Sequence, residues 1–217
     1  MLVCLGMIFF TNNKVNASTT FSEEKTIMNS LDSKAVYYEQ IKREAATEAP
    51  HTLSEIFTPN GTPVTVKTYL EDMPDYYKEY LVEYVYPLKY SYATLIGYPT
   101  SRYNCHSYAW YSQDIENNNY WMPYPTEYYI DSSYDVVNYP REGDIICYYD
   151  DNGTEDKNDD ENLHSGIIVS LNPNLADDDW QNASLVNVES KWGTEGLFYH
   201  RGDQCPYVEP SVGADYV

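Results

Sequence analysis

An α+β domain built around an antiparallel sheet is expected from three features of the chain. Helix-prone segments fill the first half, at residues 18–50, at 74–84 and from about 104 to 113. Short apolar runs of strand length crowd the second half, at 143–149, 165–171, 184–190 and 197–200. The order is helices first and then neighbouring strands, which favours a sheet of adjacent antiparallel strands over crossover units. Its 217 residues suffice for one domain with accessory sequence, and 42% hydrophobic with 16% aromatic content is that of a folded globular protein.

The elements follow in order. Leu2–Phe10 is an apolar run, and Val15-Asn16-Ala17 ends in the small residue that a signal peptidase needs. Residues 1–17 are therefore expected to be a signal peptide cleaved after Ala17, although no Lys or Arg precedes the run. The run is too short to span a bilayer. Residues 18–60 read as a helical leader or pro-region: Ser22-Glu23-Glu24-Lys25 opens a helix, Ile27, Leu31, Val36, Tyr37 and Ile41 recur on roughly one face, and Pro50 stops it. This segment is a pro-region, a spacer or a helix docked on the domain. Pro59-Asn60-Gly61-Thr62-Pro63 is rich in turn formers and marks the boundary, leaving 61–217 as the main domain. Val64–Val66 is a brief strand, and Pro74–Tyr84 a helix with Asp72 or Asp75 near its cap and Pro87 closing it. A second helix starts near Asn104 and runs to about Gln113. The four apolar runs are the strands, the first entered from a turn at Gly143 and the third showing alternation.

Thirteen basic residues against 34 acidic ones give a net charge of −21, which repels phosphate backbones and anionic lipid. Nucleic acid and membrane surfaces are thus disfavoured as partners, and no membrane span is expected. The 25 tyrosines suit cores near the surface and polymer-binding grooves, or reflect a compositional habit. Loss of Cys4 with the leader leaves Cys105, Cys147 and Cys205, an odd number in an exported protein, so at least one thiol stays free. A Cys147–Cys205 disulfide with Cys105 free is one arrangement.

Cys105 lies where the second helix begins, after the loop Gly97–Asn104. A thiol there meets the positive end of the helix dipole, and the first-turn amides can hold an oxyanion. His164 opens the strand 165–171, where an imidazole can face a groove and serve as base. His106 is adjacent to the cysteine on one turn and points elsewhere; His200 is the competitor. If strand 184–190 pairs antiparallel with 165–171, Glu189 reaches the His164 end and orients the imidazole, with Asn187 as the alternative. Tyr103, Trp110 and Trp192 are candidate groove walls for substrate, or core.

These residues together resemble a family. Asn104-Cys105-His106-Ser107-Tyr108-Ala109-Trp110 looks like the nucleophile helix of the CHAP amidases and NlpC-type cell-wall peptidases, both papain-like. Arg141-Glu142-Gly143-Asp144-Ile145-Ile146 resembles their glycine-aspartate turn, His164-Ser165-Gly166-Ile167-Ile168-Val169 their histidine strand, and Val186-Asn187-Val188-Glu189-Ser190 the strand bearing the third polar residue. The resemblance covers about residues 95–207. It implies a papain-like fold, with the nucleophile at a helix start packed on an antiparallel sheet. It also implies a secreted or cell-wall-associated cysteine hydrolase that cleaves amide or peptide bonds in peptidoglycan, with Cys105, His164 and Glu189 catalytic and no metal or organic cofactor. The alternative is an inactive cell-surface binding protein on the same fold. The acidic stretch Asp150–Glu161 departs from the family and is a solvated loop or an incomplete calcium loop, lacking its turn glycine and distal glutamate.

Overall fold

The structure, a computed structural model, describes residues 49–150, 161–172, 183–207 and 212–216. The chain divides into two units, 1–48 and 49–217, and every described residue belongs to the second. The expected signal peptide, the apolar face from Ile27 to Ile41 and most of the acidic loop, 151–160, lie outside the described residues.

The described part opens with a hairpin, β1 (His51–Phe57) and β2 (Pro63–Tyr69), paired antiparallel from His51↔Tyr69 to Phe57↔Pro63. The segment Pro59–Pro63 is the turn of this hairpin, with Gly61 at φ +88, a conformation glycine adopts without a steric cost. The expected boundary at residue 60 therefore falls inside one supersecondary unit, and the domain starts ahead of it. Alternation buries Val64 and Val66 together with Ile56, and these pack with Ala109, Trp110 and Met122. Backbone bonds between Lys67 and Trp121 extend the contact.

A helical stretch follows as α1 (Asp75–Tyr80), a π turn (Leu81–Val85) and α2 (Tyr86–Lys89). The helix passes Pro87, expected to close it, because the proline falls in the first positions of α2, where no amide hydrogen is needed. Asp72 does not cap it. Its carboxylate accepts from the amides of Met73 (2.7 Å) and Ser101 (2.8 Å), from the Thr100 hydroxyl (2.9 Å) and from Lys78 (2.7 Å), tying this stretch to the loop that leads to Cys105.

Beyond come β3 (Thr94–Gly97), a helical turn at 105–111, α3 (Thr126–Ile130), β4 (Ile145–Asp150), β5 (Glu161–Leu171), β6 (Val186–Lys191), β7 (Leu197–Arg201) and β8 (Val212–Tyr216). The sheet runs β3-β7-β6-β5-β4-β8, antiparallel throughout. The protein is α+β, and the four apolar runs are β4 to β7; β3 and β8 are additional edge strands. Alternation divides the core between the two faces. Ile145 and Cys147 join Trp110, Met122 and Tyr128 on one face, with Ile167 packed against them. Ile146, Tyr148, Ile168, Val186, Val188 and Cys205 cluster on the other.

Candidate active site

Asn104 organises the start of the Cys105 turn. Its Oδ1 accepts the amide of Ser107 (3.1 Å), an N-cap bond, and the amide of Met122 (3.1 Å). Its Nδ2 donates to the Met122 carbonyl (2.7 Å), so the side chain pins the Trp121–Met122 segment beside the cysteine. Helix begins at Cys105, as expected near Asn104, but passes into a π turn, Ser107–Tyr111, and ends short of Gln113.

Cys105 is 6% exposed. Burial pushes its thiol up to about 11, against the opposing pull of the Ser165 and His106 backbone amides and of Lys191. The described site therefore holds a protonated thiol.

His164 lies fully buried in β5. Its ring stacks on Tyr207 (centroids 4.4 Å, 13°) and leans on Tyr148 (5.7 Å). Neither ring nitrogen has a hydrogen-bond partner among the described residues. Burial, with His106 and His200 nearby, pulls its pKa well below the ordinary histidine value, so the imidazole is neutral. Its neighbour Ser165 points to the opposite face of the sheet, where its Oγ accepts from Trp110 Nε1 (3.0 Å) and bonds His106 Nδ1 (3.0 Å).

Glu189 and His164 are not brought together. Glu189 pairs with Ile167, three residues from His164, and an odd offset places the two side chains on opposite faces. The Glu189 carboxylate instead accepts from Tyr108 Oη (3.0 Å), a residue of the Cys105 turn. Asn187 donates to Ser170 Oγ (2.9 Å). His200 is held at both nitrogens, by Ser190 Oγ (2.7 Å) and the Arg201 carbonyl (2.8 Å). The carbonyl can only accept, so Nδ1 carries the hydrogen and Nε2 receives that of Ser190.

Tyr103 and Trp110, expected as groove walls or core, are buried in the core at 2% and 3% exposure. Trp192 is buried too, stacked on Phe198 (4.1 Å), yet it borders a pocket of about 440 Å³. Trp121, Tyr207, Tyr90 and the turn Gly193-Thr194-Glu195 are among the residues that line it, with Lys89 and Pro206. Tyr207 thus has one contact with the pocket and another with His164. Cys147 and Cys205 are free and belong to clusters on opposite faces of the sheet.

Two residues escape the sequence reading. Tyr207 gives no local signal, since its role depends on chain return after β7. Lys191, given no role there, is wholly buried. Its position between Ser190 and Trp192 at the end of an apolar strand is the signal that would have found it. No helix among the described residues is long and apolar enough to cross a membrane. Set against protein families, curated proteins and solved structures, the chain shows no match.

Proposed function

We propose that the domain is a papain-like thiol hydrolase that cleaves amide bonds, with Cys105 as nucleophile and His164 as its base. Two observations carry this reading: a thiol sits at the start of a helical turn beside β5, and β5 bears a buried neutral imidazole with no hydrogen-bond partner among the described residues, although the turn's Tyr108 and Trp110 bond to residues on the sheet face opposite His164. A buried ring nitrogen without a partner costs on the order of 1–3 kcal/mol, and such a cost is typically retained at working sites. A neutral imidazole is the form that accepts a proton. In the proposed reaction the Cys105 S–H proton passes to a His164 ring nitrogen, and the sulfur attacks the carbonyl carbon while the Cys105 N–H helps hold the oxyanion. The C–N bond then breaks, the imidazolium proton leaves with the amine, and water cleaves the thioester to an acid and the free thiol. In the described arrangement Glu189 anchors Tyr108 of the nucleophile turn. The four-motif resemblance supports peptide or amide bonds of peptidoglycan as substrate and export to the cell surface as location.

A second reading, an inactive binding protein on the same fold, is favoured by the 6% exposure of Cys105 and by the placement of His164 and Glu189 on opposite faces. Mass spectrometry of digested peptidoglycan separates the two. The wild type is expected to release fragments, Cys105→Ala to fall to the buffer baseline, and His164→Ala to lose about 10²–10⁴-fold with His200→Ala much closer to wild type. A wild-type digest identical to buffer overturns the first reading.

A further inference from the structure

Lys191 is an ammonium buried at 0% exposure with three acceptors around it. Its Nζ donates to the carbonyls of Thr100 (2.9 Å), Gly193 (2.6 Å) and Glu195 (2.6 Å) and lies 5.3 Å from the Tyr103 ring centroid. Thr100 belongs to the loop entering Cys105, whereas Gly193 and Glu195 form the wall of the pocket. Continuing the β5–β6 register from Ile167↔Glu189 by two residues sets Lys191 opposite Ser165, the residue that the Cys105 turn bonds through His106 and Trp110. One side chain on β6 therefore joins the approach to the thiol and the pocket wall.

The surrounding titratable groups are the Cys105 thiol, the Asp72 and Glu195 carboxylates and the Tyr103 phenol. Burial draws Lys191 down to about 7. The carbonyls oppose this: an ammonium has three hydrogens for three acceptors, and a neutral amine would leave one acceptor unmet.

We infer that Lys191 is the positioning residue of the Cys105 centre, a fixed positive charge that favours the thiolate and locks the pocket turn to the loop entering the nucleophile. This rests on Cys105 being the working thiol of the proposed hydrolase, but its test needs no hydrolysis. The rate of Cys105 alkylation by iodoacetamide, read at that residue by peptide mass spectrometry, is followed against pH in wild type, Lys191→Met, Lys191→Gln and Lys191→Arg. Access to the sulfur scales the rate equally at every pH, so the midpoint isolates the charge. The midpoint is expected to rise by about one unit or more in the Met and Gln variants, a roughly tenfold lower rate at pH 8, and to return toward wild type with Arg. An unchanged midpoint in folded Lys191→Met or Lys191→Gln overturns the inference. So does a wild-type Lys191 whose 13Cε resonance is that of a neutral amine at pH 7.5, a reading independent of whether any variant folds. Loss of the hydrolase reading alone, through an inert wild type on peptidoglycan, leaves the alkylation midpoints free to decide this point.

Discussion

At the residue scale, the centre is organised by short polar side chains that each serve more than one partner. Ser165 Oγ accepts from Trp110 and meets His106, and Ser190 Oγ accepts from Trp192 Nε1 (2.9 Å) while donating to His200. Ser165→Ala would leave the buried Trp110 N–H without an acceptor, and the expected cost is about 1–3 kcal/mol, measured as a lower urea midpoint with an unchanged slope. Cys105 and His164 were legible as candidates because a thiol at a helix start and a histidine at a strand end have a local chemical meaning. Their orientation was not legible. Whether His164 faces Cys105 depends on strand parity, and β5 carries a register shift opposite Tyr148–Tyr149 that no residue pattern announces. Glu189 shows the same gap: its strand and its pairing partner were legible, but three residues of offset from His164 turn it to the other face.

At the element scale, β5 and β6 approach closely at Gly166. A Cβ there would lie 2.5 Å from Val188 Cγ1 and 2.9 Å from Ser190 Cβ, with the Glu189 carbonyl at 3.2 Å. Gly166→Ala is therefore expected to push the two strands apart and destabilise by about 1–3 kcal/mol, visible as a lower Tm. The perturbation should also reach Cys105, since the neighbouring Ser165 bonds His106 and Trp110 of its turn. Strands β4 to β7 were readable because apolar, β-branched runs bounded by turns have few other uses. The edge strands were not, β3 being four residues long and half-exposed. The hairpin was split for a physical reason as well: a turn of proline and glycine looks alike whether it joins two paired strands or two separate domains.

At the scale of the whole molecule, acid is the condition that tests the packing. Burial lowers His106 and His200 to about 4, and His164 also falls well below its ordinary value. The unfolded chain binds protons from about pH 6.5 downward while the folded chain refuses them, so this contribution to stability is complete above about 6.5 and is lost as pH drops toward 4. Chemical denaturation at intervals across that range should show the unfolding free energy declining steadily, with a shallower decline in His200→Gln. The chain's charge of −21 at neutral pH adds self-repulsion that acidification relieves, and the histidine contribution is expected to outweigh it because it is buried and unscreened. The three described cysteines bear on how such a domain reaches its folded form. With Cys147 and Cys205 in separate layers and Cys105 buried at the start of its helical turn, the native state contains no covalent cross-link among them. Folding among these residues is then driven by packing alone and requires no oxidant. A bond joining two of these sulfurs would have to break before this packing could form.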